Sequence, residues 1–173
     1  MAKIIENVEG TILEVGKKIL LEEGYEKMTL RLVASKCNIA TGTIYNYFSS
    51  KDVLVAKIMW GDWSGLISKL IPILENVNDV TSGIESIFMM LKRYTSIYEK
   101  AWKDYGGSYV LINQRHQILI KQLSDLIEKL FIKFNILNFN NLSIFLSEMI
   151  LSAGIRDDVS FETIKPFVEK LLN

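Results

Sequence analysis

One histidine, His116, in 173 residues leaves nothing from which to build a His-based metal cluster or an imidazole relay. One cysteine, Cys37, cannot close an intrachain disulfide, which suits a reducing compartment. The two prolines and ten glycines form no low-complexity tract, and no internal repeat is visible. Apolar segments are broken by Lys, Glu, Asp or Asn before they reach membrane-spanning length. The N-terminus lacks the uninterrupted apolar run of a signal peptide. No phosphate loop, GxGxxG or paired-carboxylate motif occurs. Together these gaps argue against an enzyme, a membrane protein or a secreted scaffold. They predict a cytoplasmic protein with no cofactor and no metal.

Net charge is also missing: 20 basic residues balance 20 acidic ones. The distribution says more than the sum. Between Lys27 and Lys57 stand Lys27, Arg31, Lys36, Lys51 and Lys57 against Asp52 alone, so five minus one gives +4. A local basic patch on a neutral chain fits a nucleic-acid binder whose other half does something else.

What the chain has is apolar residues, 49% of the total, spaced for helices throughout. The informative stretch is residues 29–48, TLRLVASKCNIATGTIYNYF. Thr29 can cap a first short helix. Asn38 stands where that helix must stop and tolerates the left-handed backbone that stops it. A second short helix runs from about Ala40 or Thr41 to Tyr47, anchored by Ile44 and Phe48. It turns Thr41, Gly42, Thr43, Tyr45, Asn46 and Tyr47 outward. A solvent face of hydroxyls, an amide and phenols is an odd choice for a core helix. Such a pair is the helix-turn-helix, whose second helix enters the major groove of DNA.

The run VASKCNIATGTIYNYFSSKD resembles the DNA-binding domain of TetR/AcrR-type transcriptional regulators. Their usual pattern is I-A-x-x-A-G-V-S-x-G-T-L-Y-x-Y-F-x-S-K. Val33, Ala34, Ile39, Gly42, Thr43, Ile44, Tyr45, Tyr47, Phe48, Ser50 and Lys51 match or substitute conservatively. Cys37, Asn38 and Ala40 depart from it, and Ala40 removes a helix cap worth roughly 1 kcal/mol. The likeness covers about the first third of the chain. It implies a ligand-responsive regulator, in most cases a repressor, that binds double-stranded DNA as a homodimer. On this reading Thr41, Thr43 and Asn46 face base edges. Tyr45, Tyr47 and Lys51 face phosphates, and Thr29, Arg31 and Gly42 belong to the same surface.

The remaining pattern predicts an all-α chain of about nine helices. Residues 1–50 form the DNA-binding domain and 51–173 a helical ligand-sensing and dimerisation domain. The spacing predicts a helix over 3–23 ending at Gly24, with Gly16 packed against the helix pair. A fourth helix starts after Ser50 and ends near Trp60-Gly61. A fifth covers 62–75, and a sixth, capped by Thr81 or Ser82, runs to about Lys100. The seventh to ninth cover about 109–134, 142–156 and 161–172.

Large side chains from Trp60 to Tyr109, including Met89 and Tyr105, cluster between the fifth and seventh helices. As a group they read as core. The resemblance implies a pocket among them for a small, largely apolar effector, with Trp63, Phe88, Tyr94, Tyr98 and Trp102 as candidates. It also implies a dimer built on the last two helices, through Phe145, Ser147, Met149, Ala153, Gly154, Phe161 and Phe167. Two other readings are an architectural DNA-binding dimer without a ligand, and a helical interaction module.

Overall fold

The computed structural model describes residues 7–104, 109–136 and 141–172, the side chains of 100–115 excepted. Among them the chain is all-helical, with eight helices and no strand. They are α1 (Val8–Glu23), α2 (Leu30–Lys36), α3 (Thr41–Tyr47), α4 (Lys51–Glu75), α5 (Val80–Asp104), α6 (Tyr109–Lys133), α7 (Leu142–Gly154) and α8 (Phe161–Leu172). No described helix is long and apolar enough to cross a membrane.

The expected fourth and fifth helices are one. Leu54, Val55, Ile58, Met59, Trp63, Leu70 and Leu74 stay on one buried stripe through the expected break. Gly61 lies in that run with open space beyond its Cα. It costs about 1 kcal/mol relative to Ala, and the helical phase on either side outweighs that. The chain forms two compact units: Met1–Gly65 with Ile97–Gly106, and Leu66–Ser96 with Gly107–Asn173. The residue-50 boundary therefore falls inside the first unit, which takes in the first part of α4 and the end of α5.

In the first unit Gly24, at φ 91°, closes α1, and its N–H reaches Leu20 O. Gly16 is buried, as its position on the apolar face requires. A Cβ there would stand 3.2 Å from Ile58 Cδ1, 3.3 Å from Leu54 Cδ2 and 3.3 Å from Met28 Cε. The close approach is to α4 and Met28 rather than to the α2–α3 pair.

The second unit packs Ile84, Ile87, Phe88 and Leu91 of α5 with Leu123, Ile127, Leu130 and Phe131 of α6. Leu146 and Ile150 of α7 and Phe161, Ile164 and Val168 of α8 complete this core. Two glycines let helices meet. A Cβ on Gly83 would come 2.6 Å from Leu130 Cδ1, and one on Gly154 would clash with Leu91. Lysines finish helix ends. Lys133 Nζ donates to the carbonyls of Leu74, Glu75 and Val77 at 3.1, 2.8 and 2.9 Å. Lys92 does the same for Arg156 O beyond α7, where Thr95 Oγ1 also donates to Gly154 O at 3.1 Å.

Gly154 and its neighbours are thereby placed. Ser147, Ala153, Gly154 and Phe161 are buried within the chain's own packing and are not surface available to a second copy. Ser147 Oγ bonds to Ser143 O at 2.7 Å, and Phe161 tilts against Phe88 with ring centroids 5.7 Å apart. Phe145 and Phe167 do face out, 57% and 62% exposed, with Met149 half-buried. Trp60 and Met89 are exposed as well, so neither belongs to the core where the sequence put them. Tyr105 lies outside the described residues.

The cap of α5 is Asp79, not Thr81 or Ser82. Its carboxylate accepts from Ser82 N and Ser82 Oγ, both at 2.8 Å. These bonds, with a smaller contribution from Lys165, hold the Asp79 carboxyl below the usual range. A depressed folded-state value gives stability that is complete above the unfolded pKa, about 3.9. That stability is lost as pH falls through the folded value. Asp79→Ala should therefore lower stability at neutral pH and leave a shallower acid limb. Urea melts between pH 2 and pH 7 check this.

Candidate nucleic-acid interface

Thr29 takes extended backbone at φ −134°, and its Oγ1 accepts from Leu32 N at 3.1 Å, as an N-cap should. The end of α2 is built with equal care. Asn38 lies at φ 54°, its N–H bonds to Ser35 O at 3.1 Å, and Ile39 N bonds to Ala34 O at 3.0 Å. That pair of bonds around a left-handed residue is the Schellman motif. It reverses the chain within two residues and aims α3.

α3 has seven residues and buries one of them, Ile44. Phe48 follows as a buried C-cap, its N–H on Ile44 O at 2.9 Å. Ala40 supplies no side-chain cap, as its methyl dictates. The other face is open. Thr41, Gly42 and Asn46 are exposed, Tyr45 and Tyr47 are 52% and 44% exposed, and Thr43 is half-buried. Nothing lies within 4 Å of where a Cβ on Gly42 would be. The outward set expected from sequence is thus together on one short helix, with Thr29 and Arg31 exposed on α2.

Beneath this pair Cys37 is buried, its Sγ 3.8 Å from Thr11 O. Burial pushes its thiol pKa up, which suits packing rather than nucleophilic chemistry. Among the described residues no group of His, Cys, Asp and Glu could hold a metal ion.

The cations divide by role. Ser50 caps α4 by accepting from Val53 N at 3.2 Å. Lys51 Nζ donates to Tyr25 O at 3.1 Å and sits 3.8 Å from the Tyr25 ring centre. The Tyr25 hydroxyl in turn donates to Asp52. Lys57 pairs with Glu9. Lys51 and Lys57 are therefore engaged, while Lys27, Arg31 and Lys36 are exposed and carry no ion pair among the described residues. The clamp on Tyr25 was not visible in the sequence, because it joins a loop to a helix start 26 residues away.

A second cluster was also missed. Asp62 Oδ1 accepts from Lys17 Nζ at 2.6 Å and Asp62 Oδ2 from the Tyr98 hydroxyl at 2.7 Å. The available clue was a carboxylate four residues after Ile58 and next to Trp63, both buried. The pocket candidates are divided between the units. Buried Trp63 and Tyr98 belong to the first and buried Phe88 and Tyr94 to the second. The side chain of Trp102 lies outside the described residues.

Residues 12–58 match the family described as bacterial regulatory proteins, tetR family. The N-terminal domain is a TetR-type helix-turn-helix. The regulator UidR of Escherichia coli is 28% identical over 76 residues, covering 44% of this chain and 39% of that protein. The transcriptional repressor KstR2 of Mycobacterium tuberculosis is 24% identical over 85 residues, covering 49% of this chain and 42% of that one. The chain thus aligns with less than half the length of these relatives. In fold the likeness is longer. A transcriptional regulator of Cytophaga hutchinsonii superposes with TM-score 0.69 at 14% identity, covering 96% of this chain and 95% of that one.

The caps of the TetR-type domain can be tested apart from DNA. Thr29→Ala should cost about 1 kcal/mol of stability. Ile44→Ala should cost about 2–5 kcal/mol by leaving a cavity under α3. Chemical denaturation followed by circular dichroism measures both.

Proposed function

We propose that the chain is a cytoplasmic, homodimeric transcriptional repressor that binds operator DNA through α3 and is released by a small, largely apolar effector. The observation that carries this is the exposed polar and phenolic face of α3 over its single buried anchor, Ile44. Thr41, Thr43 and Asn46 are assigned to base edges, where hydroxyls and an amide read donor and acceptor patterns. Tyr45, Tyr47, Arg31 and Thr29 are assigned to phosphates. The Thr29 hydroxyl already accepts from Leu32 N and keeps its own proton to donate. Gly42 lets the backbone approach closely. Lys51 reaches a phosphate only by giving up the Tyr25 carbonyl, so its assignment shifts toward holding the start of α4. Repression is supported by the name of the KstR2 relative.

An effector site in the second unit is supported by Phe88 and by Tyr94, whose phenol adds a polar tip to an apolar surround. The effector would act through its differential affinity for two conformers. Its binding should raise the melting temperature by mass action and weaken the operator complex.

Dimerisation is supported by the outer faces of the last two helices. Phe145 and Met149 lie one turn apart on α7, and Phe167 and Leu171 one turn apart on α8. Grouped apolar exposure of this kind marks interaction surfaces. Two recognition helices about 34–36 Å apart would then meet successive major grooves.

Two experiments test the reading. In a salt-dependent mobility shift with selected DNA, Arg31→Ala should weaken binding to all sequences and lower the salt slope by about one unit. Asn46→Ala should change sequence preference at a cost of about 1–3 kcal/mol. Unchanged binding in both would reject the α2–α3 surface. In analytical ultracentrifugation, a Phe145→Glu, Phe167→Glu variant should sediment as a folded monomer and bind full operator at least tenfold more weakly, as loss of the second half-site requires. A dimer that survives both changes would reject this interface.

A further inference from the structure

We propose that Asp62 is a positioning residue for the DNA-reading helices, its carboxylate tying α1 to the last turns of α5. The inference rests on the DNA-binding reading above and adds a residue that makes no DNA contact.

Asp62 sits on the inward side of α4 beside Trp63, which is fully buried. A carboxylate there is unfavourable unless its oxygens are satisfied. Each oxygen is taken by a different helix. Lys17 of α1 reaches Oδ1 at 2.6 Å, and the hydroxyl of Tyr98 of α5, itself fully buried, reaches Oδ2 at 2.7 Å. Both bonds have a charged acceptor in partly desolvated surroundings, where such bonds are short and strong. Lys17 remains partly exposed at 40%, so the Tyr98 bond is the better shielded of the two.

The consequence follows from what each helix does. α1 packs against α2, and α2 delivers α3 through the turn at Asn38. α5 is one unbroken helix whose residues 80–96 belong to the second unit and 97–104 to the first. Tyr98 stands one residue inside the first unit. A rotation or axial shift of α5 must carry Asp62 with it or break the bond, and Asp62 holds Lys17. Three helices meet at one carboxylate, so their relative placement is fixed by two hydrogen bonds rather than by area alone.

The test compares Tyr98→Phe, which keeps the ring, with Asp62→Asn, which keeps the shape. Each should weaken operator binding about tenfold, the scale of one hydrogen bond to a charged group. The salt slope should not change, because no phosphate contact is lost. The double variant should be no weaker than the weaker single variant, since both changes break one tie. Amide hydrogen exchange supplies a reading without DNA. Tyr98→Phe should speed exchange in residues 12–20 of α1, although residue 98 is on another helix. Variants that lose melting temperature but keep operator affinity and α1 protection would overturn the proposal and leave Asp62 as ordinary packing. If the unaltered chain bound no duplex, the functional reading would fall. The exchange arm would still decide the tie: faster α1 exchange supports it and unchanged exchange overturns it.

Discussion

Seven residues cannot hold a helix in water by themselves. Nucleation costs more than so few bonds return, and isolated helices shorter than about 12–15 residues are marginal. α3 therefore exists because Ile44 and Phe48 are buried beneath it and because the turn at Asn38 delivers it at a fixed angle. Every outward group on α3 inherits its position from those anchors. The arrangement also frees the outer face. With one residue committed inward, Thr41, Tyr45, Asn46 and Tyr47 can be chosen for what they touch rather than for packing.

The same economy appears in the charges. A helix-turn-helix on a neutral chain makes sense once the lysines are followed to their partners. Lys133 and Lys92 close helix ends by donating to carbonyls that have no intrahelical partner. Lys51 pins the Tyr25 loop, and Lys57 meets Glu9. Among the described residues, the cations near α2 and α3 that carry no ion pair are a smaller set, Lys27, Arg31 and Lys36. The +4 count along the sequence overstated the available field, because it counted cations the fold uses internally.

Legibility tracked the range of the interaction. Thr29, Asn38 and Gly24 act within one turn of themselves, so their roles could be read from residue type and neighbours, and the geometry agrees. The outward set on α3 followed from helical period alone. The continuity of α4 was missed because Gly61 was weighed as a local breaker, while the apolar phase running past it was not. Asp79 was missed because Thr81 and Ser82 offered equally good hydroxyl caps two and three residues on. The Lys17–Asp62–Tyr98 cluster joins residues 36 and 45 apart in the chain, and no local rule brings them together.

Small residues show most clearly where sequence reasoning loses its way. Ser147, Ala153 and Gly154 are buried, and at Gly154 two helices do approach closely. Smallness says nothing of whose helix approaches. Leu91 of the chain's own α5 fills the notch at Gly154, and Thr95 ties the Gly154 carbonyl. An interface within the chain and one between two copies leave the same composition in the sequence, since both bury apolar area against a smooth helix. They differ only in what stays uncovered once the chain has folded. On α7 and α8 that remainder includes two large side chains, Phe145 and Phe167, which stay exposed. A surface for a second copy is thus to be sought in what protrudes, while Gly154 seats α7 against the chain's own α5.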